Sequence, residues 1–408
     1  MRRLSGVTWR NLACAAMAAL GVRGATAQEP AASFEEQIEA IREKRKLPAL
    51  AVVVMDGTRV ALSAATGVRA TGSSQRVTID DQWHLGSCTK AMTATLAARL
   101  VERGKITWEM KVVDLFPALK PTMTPGWDKI TLRHLVTNTA GVPADIMRDE
   151  AWGKLWEGTK AGTPPREQRT ELMKRLVTLK LDHEPGTKDR YSNQNFIVAG
   201  HMLETVMDTA WEELVTKEVF TPLGISSGGF GAPDEAQKGE AAMADQPRGH
   251  RGKAGAWKPV EPGLGADNPT GCGPAGTARM TLIDWGKFVA AHALGERKPV
   301  MVGDAAFLKP ETFSLLHSPQ IPNNSGEGYA MGWIATRRPW AKGDGPEDEG
   351  RVLNHAGSNT MWFCVAWVSV ERGFGVLAAT NCAGESASRG ADEAVGAAIR
   401  EFTKGAKP

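Results

Sequence analysis

Residues 50–55 are apolar without a break and run into Asp56-Gly57, a hairpin signal, so they predict a strand with residues 60–65 as its return partner. Ahead of them, residues 34–45 alternate apolar and charged side chains at helical spacing. From Ser87 to Glu102 the apolar positions Met92, Leu96 and Leu100 fall on one helical stripe, and Gly104 is placed to end that helix. Residues 115–220 keep the helical period, broken by Pro and Gly, which predicts a helical part. Residues 231–276 are dense in Gly, Pro and polar side chains and predict long loops of the kind that shape a substrate cleft. Toward the C-terminus, residues 329–334, 352–355, 361–370 and 374–379 read as successive strands, the last two joined by a short turn, and 392–402 reads as a closing helix. The pattern predicts an α/β fold in which one antiparallel sheet is assembled from both ends of the chain, about 30–85 and 277–405. Helices flank it, and a helical part at about 86–230 is inserted between the two ends. Residues 28–405 are expected to form a single domain.

The first 27 residues stand apart. Arg2, Arg3 and Arg10 precede an apolar run over 12–22 that is followed by Ala25-Thr26-Ala27, the small-x-small form of a signal-peptidase site. The run falls short of the roughly 20 apolar residues that span a bilayer, so the segment reads as a cleaved secretory signal. The chain is then expected to be exported, periplasmic or extracellular, with no stable membrane span. A retained anchor and lipid attachment at Cys14 are weaker readings. Of the 408 residues, 49 are basic and 46 acidic. Four of the basic ones, Arg2, Arg3, Arg10 and Arg23, lie in the leader, so 45 face 46 in the rest. That balance gives no electrostatic basis for holding nucleic acid or an anionic membrane. Cys88, Cys272, Cys364 and Cys382 show no metal-site spacing, and the expected hairpin register does not place Cys364 opposite Cys382, so free thiols are expected.

The candidate chemistry lies in three short elements. Ser87-Cys88-Thr89-Lys90 opens the predicted helix, where residues three apart share a face. A serine hydroxyl needs a base within hydrogen-bond reach to become a nucleophile, and a buried lysine is lowered in the direction that lets it accept a proton. Only two tyrosines occur in the whole chain, Tyr191 and Tyr329, and the first opens Tyr191-Ser192-Asn193. Tyr191 could shuttle the proton, and the division of the base role between Lys90 and Tyr191 is open at this point. The helix start at Ser87 offers backbone N–H groups to a developing oxyanion. A second donor has to come from elsewhere, and the candidate is the backbone N–H of Ser358, just after His355-Ala356-Gly357, where glycine permits close approach of substrate. Asn193 could hold a substrate amide and orient Lys90.

In this order and at these separations, Ser87-x-x-Lys90, Tyr191-x-Asn193 and His355-x-Gly357 resemble the elements of the penicillin-recognising serine hydrolases. That family includes class C β-lactamases, serine D-Ala-D-Ala carboxypeptidases and family VIII carboxylesterases. Residues 131–143, Glu184-Pro185-Gly186-Thr187, Pro222-Leu223-Gly224-Ile225 and Gly273-Pro274-Ala275-Gly276 resemble its connecting segments, so the likeness covers essentially the whole mature chain. The resemblance implies the β-lactamase/transpeptidase-like fold, with the site between the sheet part and an all-helical part. It also implies an acyl-enzyme on Ser87 that water hydrolyses, with no metal and no cofactor. Class C β-lactamases carry Lys-Thr-Gly at the third element. Here His355 replaces the lysine and Ala356 removes the hydroxyl, two groups that help hold a β-lactam carboxylate.

Taken singly, Ser87 and Lys90 would be a helix cap and a solvated lysine, Tyr191 a half-buried aromatic and His355 a core histidine; their ordered combination argues for a site. His84, His134, His183, His201, His250, His292 and His317 lack metal spacing and read as structural. Trp83, Trp333 and Trp362 lie near motif ends and are candidate cleft walls. The expected function is an exported serine hydrolase that cleaves an amide or ester of a small-molecule or peptidoglycan-type acyl substrate, D-Ala-D-Ala carboxypeptidase-like or esterase-like. The alternatives are a class C-like β-lactamase and a penicillin-binding sensor that acylates without turnover.

Overall fold

The unbroken apolar run near the start of the chain is a central strand covered on both faces. In a computed structural model of the chain, which describes residues 32–404 apart from 145, 147, 148 and 234–244, it forms β1 (Ala49–Asp56), paired antiparallel with β2 (Arg59–Gly67). The leader 1–27 lies outside the described residues, as do part of the loop-rich segment and the last four residues. From the C-terminal half come β3 (Gly328–Tyr329), β4 (Ile334–Arg337), β5 (Arg351–Ser358), β6 (Phe363–Ser369) and β7 (Phe374–Thr380). The seven strands run in the order β3-β4-β5-β6-β7-β1-β2, antiparallel throughout.

Successive strand residues point to opposite faces. On one face Leu50, Val52 and Val54 meet α1 (Phe34–Arg45) and the C-terminal helix α7 (Glu385–Thr403) through Ile38, Ala391, Ala394 and Ala398. On the other, Ala51, Val53 and Met55 meet α6 (Leu282–Gly295) through Trp285, Phe288 and Val289, in a core that continues into the helical part. That part includes α2 (Thr89–Glu102), α3 (Glu150–Ala161), α4 (Pro165–Leu176) and α5 (Asn193–Met207). The sequence suggested a one-sided stripe on α2, yet every residue from Thr89 to Leu100 is buried. A helix enclosed on all sides has no polar face to show. Its threonines find carbonyl partners, Thr93 Oγ1 donating to that of Pro274 at 2.7 Å and Thr95 Oγ1 to that of Ala91 at 2.8 Å.

The structure corrects four local expectations. Residues 329–334 are not one strand but the hairpin between β3 and β4, closed by Ala330 N–H donating to the Trp333 carbonyl at 2.8 Å. The turn is built almost wholly of apolar residues and so carried no polar signal. The loop-rich stretch contains a two-stranded hairpin, His250–Lys253 with Ala256–Pro259, and a helical turn at Gly273–Gly276. Ser87 sits in a 3₁₀ turn, Gly86–Cys88, just ahead of α2 rather than in its first turn. Trp83, Trp333 and Trp362 are core residues, each at most 2% exposed, with Trp83 edge-on to Trp362 at 6.2 Å, so they wall no cleft. Cys364 pairs in register with Ala379, not with Cys382, and both are free thiols.

Candidate active site

Two glycines let the Ser87 turn and the sheet touch. A Cβ on Gly357 would lie 1.9 Å from the Leu85 carbonyl oxygen, and one on Gly86, where φ is +47°, would lie 2.4 Å from the Ser358 nitrogen. The turn bearing Ser87 is therefore pressed directly onto β5, beside the Ser358 amide. Along β5, His355 and Gly357 face inward while Ala356 and Ser358 face out. The Ser358 side chain turns away, its Oγ accepting from Thr360 N–H at 3.0 Å, so it is the backbone of Ser358 that borders the turn. Gly357→Ala is expected to destabilise the fold by about 3 kcal/mol or more, because backbone on both sides of the added methyl has no room to yield. Urea unfolding measures this, and a midpoint within error of wild type would contradict it.

A buried polar chain holds the same turn. Gly86 N–H donates to His84 Nδ1 at 3.1 Å, which places the ring proton on Nε2, and Nε2 meets Asp267 Oδ1 at 2.5 Å. Thr89 Oγ1 donates to the Gly86 carbonyl at 2.7 Å and accepts from Ala278 N–H at 3.1 Å. Neither His84 nor Asp267 stood out in the sequence as a site-supporting residue.

Lys90 is wholly buried one helical turn from Ser87. Its Nζ lies 3.1 Å from Ser87 Oγ, 2.7 Å from Asn193 Oδ1 and 2.7 Å from the Ala275 carbonyl oxygen. The Tyr191 ring centroid is 4.8 Å away and that of Phe196 5.7 Å. Burial among these groups pulls the Lys90 amine down from its ordinary 10.5 to about 7, against a weaker upward pull from Cys272 and Cys88. An amine at that value is substantially neutral near pH 7 and lies within proton-transfer distance of the Ser87 hydroxyl.

The Tyr191-Ser192-Asn193 segment is fixed from behind by Asn138. Its Oδ1 accepts from Ser192 N–H at 3.2 Å and Asn195 Nδ2 at 3.0 Å, and its carbonyl accepts from Arg190 N–H at 2.8 Å. Asn193 begins α5, which aims its side chain at Lys90. Tyr191 as a whole is 44% exposed. Burial of its hydroxyl end raises the phenol well above its ordinary value, and the adjacent Ser87 hydroxyl only partly offsets this. The ring lies 6.0 Å from both Tyr329 and His355, and Tyr329 and His355 lie 6.1 Å apart, so the three rings form one cluster. His355 is buried, its Nδ1 lies 2.7 Å from the Ala356 carbonyl oxygen, and its Nε2 has no hydrogen-bond partner among the described residues.

The structure thus gathers Ser87, Lys90, Tyr191 and Asn193 into direct contact and sets His355, Gly357 and Ser358 along one edge. Sequence reasoning did not single out Asn138, Tyr329 or the Ala275 carbonyl as parts of the site. Asn138 and Ala275 lie in two of the runs that resembled connecting segments, and Tyr329 is the other of the two tyrosines.

The family model described as Beta-lactamase matches residues 34–400. Penicillin-binding protein 4 of Amycolatopsis lactamdurans is 26% identical over 263 residues, 64% of this chain and 63% of that protein, so the chain spans less than two thirds of that relative's length. Among solved structures, EstCE1, described as a hydrolase with promiscuous acyltransferase activity, superposes with a TM-score of 0.69 at 21% identity, over 90% of this chain and 98% of that one. The D-alanine carboxypeptidase AmpC of Burkholderia cenocepacia superposes with a TM-score of 0.64 at 20% identity, over 89% and 97% of the two chains. At such identities the structural likeness establishes the fold.

Proposed function

This chain belongs to the Beta-lactamase family, and on that footing we propose that it is a serine hydrolase that cleaves an ester or amide through an acyl intermediate on Ser87, in the manner of an esterase or a D-Ala-D-Ala carboxypeptidase. One observation carries the reading: the buried Lys90 amine, lowered to about 7, lies 3.1 Å from Ser87 Oγ. Neutral Lys90 takes the Ser87 proton as Oγ adds to the carbonyl carbon. The resulting oxyanion is met by the backbone N–H groups of Ser87 and Ser358. Tyr191, kept protonated by burial, passes a proton to the leaving alcohol or amine and is replenished from Lys90. Water then enters, loses its proton to the same pair of residues and releases the acid, regenerating Ser87. Asn193 orients Lys90 throughout and offers its amide to the substrate. No metal or cofactor takes part in the proposed cycle.

His355 and Ala356 offer an imidazole and a methyl where a class C β-lactamase presents an ammonium and a hydroxyl that help hold a carboxylate, and this supports esters without a carboxylate over β-lactams. The leader 1–27 supports export to the periplasm or cell exterior, and no helix among the described residues is long and apolar enough to cross a membrane. The test is a substrate panel on the purified protein: p-nitrophenyl butyrate, a D-Ala-D-Ala-terminated tripeptide and a chromogenic cephalosporin. Turnover of the ester or the peptide at a kcat/KM of at least about 10³ M⁻¹s⁻¹, with the cephalosporin more than about 100-fold slower, is expected. A cephalosporin preferred over both would make the protein a β-lactamase. A lasting stoichiometric adduct without turnover of any substrate would make it a sensor.

A further inference from the structure

The proposed hydrolytic cycle leaves one pair of nucleophilic groups unused, although it lies against the site. Cys88 directly follows Ser87, and its Sγ lies 3.7 Å from that of Cys364 on β6. Both thiols are buried at the seam where the nucleophile turn meets the sheet. Cys88 Sγ also donates to the His355 carbonyl at 3.4 Å, and Cys364 Sγ to the Leu85 carbonyl at 3.1 Å. The two sulfurs are 276 residues apart in sequence and belong to different parts of the chain. We propose that Cys88 and Cys364 are a dithiol that hydrogen peroxide closes to a disulfide, reversibly fastening the nucleophile turn to the central sheet.

The two sulfurs are unequal in a way that sets the order of events. Burial works against a Cys88 thiolate, but the hydrogen bond from Cys364 and the neighbouring His355 and Lys90 outweigh it, so Cys88 is held below the ordinary thiol range. Burial and the facing Cys88 hold Cys364 well above that range, as a thiol. Cys88 as thiolate attacks one peroxide oxygen, the O–O bond breaks, and hydroxide leaves to be protonated to water. The sulfenic acid formed on Cys88 is then attacked by the Cys364 sulfur, its S–O bond breaks, and a second water leaves. Two thiols and one peroxide become one disulfide and two waters. Peroxide is scarcely larger than water, and the half-buried Ser87 next to Cys88 marks the route from the cleft. Closing the bond would bring the sulfurs from 3.7 Å to about 2.05 Å. Cys272 and Cys382 supply the contrast. Burial pushes each up to about 12.

The experiment is peroxide titration of the full-length folded protein, followed by intact mass and non-reducing peptide mapping. Cys364→Ala, Cys88→Ala and Cys272→Ala are run in parallel. The expected wild-type result is a loss of about 2 Da, a crosslinked peptide joining residues 88 and 364, and full reversal by dithiothreitol. Cys272→Ala should behave as wild type. Cys364→Ala should instead gain about 16 or 32 Da on Cys88, because the sulfenic acid has no resolving thiol. Cys88→Ala should gain nothing at Cys364. A wild type that gains oxygen at Cys88 without crosslinking, links any other pair, or leaves both thiols reduced while its methionines oxidise would overturn the proposal. None of these results depends on the hydrolytic reading, which would stand or fall by the substrate panel.

Discussion

Replacing Ser87 with alanine is expected to lower kcat/KM toward the best ester or peptide substrate on the order of 10⁶-fold while leaving the chain folded. The chemical half of the expectation rests on the acyl intermediate. Lys90, Tyr191 and the backbone donors can polarise a carbonyl and move protons, but only Ser87 supplies an oxygen to bond to it. What remains in the variant is the weak assistance that an oxyanion site and an adjacent amine give to water. The structural half rests on what the hydroxyl does not hold. The turn is kept in shape by Cys88 N–H to the Leu85 carbonyl, Gly86 N–H to His84 and Thr89 Oγ1 to the Gly86 carbonyl, none of which uses the Ser87 side chain. Its removal costs the Lys90 amine one of three partners, with Asn193 Oδ1 and the Ala275 carbonyl still in place. A stability change within about 1 kcal/mol follows. Steady-state rates alongside a thermal melt decide the matter. A variant that melts like wild type and still turns over within tenfold of it would remove Ser87 from the mechanism.

What the sequence disclosed about this site was what is local or ordered. Ser87 and Lys90 are three apart at the start of a helix, so their contact needs no knowledge of the rest of the fold. Tyr191 and Asn193 reach Lys90 from about a hundred residues away, and only their order and spacing relative to Ser87 hinted at the meeting. The Ala275 carbonyl was beyond such reasoning, since every residue has a carbonyl and only the fold says which one points at a buried amine. Cys88 is one position on from Ser87, and on helical geometry its thiol would lie about 100° around from it. The sulfur does point elsewhere, to Cys364, but that encounter is fixed by where β6 passes under the turn, and no periodicity encodes it.

The same physical division runs through the fold. β1 was legible because both of its faces are covered, which leaves an uninterrupted apolar run. The 250–259 hairpin was illegible because most of its side chains are at least partly exposed and no buried face imposes an alternation. The β3–β4 turn was hidden for the opposite reason, being buried and apolar, so that it read as more strand. Trp83, Trp333 and Trp362 show that nearness to a motif in sequence says nothing about which way a side chain faces.

Lys90 is where the geometry yields a pH dependence in both rate and stability, with signs that can be worked out separately. For rate, the amine must be neutral to take the Ser87 proton. kcat/KM should therefore fall about tenfold per pH unit below a limb near pH 7 and level off above it. Lys90→Met should lower the rate by about 10²–10⁴-fold and abolish that limb. For stability, the folded-state value of about 7 lies below the ordinary 10.5 that the unfolded chain regains. Between those values the unfolded chain binds a proton that the folded chain does not, so stability rises with pH across the window. Below pH 7 both states carry the proton and the cost of a buried ammonium is fully present, roughly 3–5 kcal/mol. Above 10.5 both are neutral and the cost is gone. Methionine matches the length of the lysine stem without the charge but leaves Asn193 Oδ1 and the Ala275 carbonyl short of a donor, a penalty that does not vary with pH. The stability of Lys90→Met relative to wild type should therefore be most favourable at pH 6 and decline by a few kcal/mol toward pH 10. Urea unfolding of the two proteins at several pH values measures that difference. Parallel curves would mean that Lys90 keeps an ordinary pKa in the folded chain, and a proton-accepting role at neutral pH would then have to pass to Tyr191.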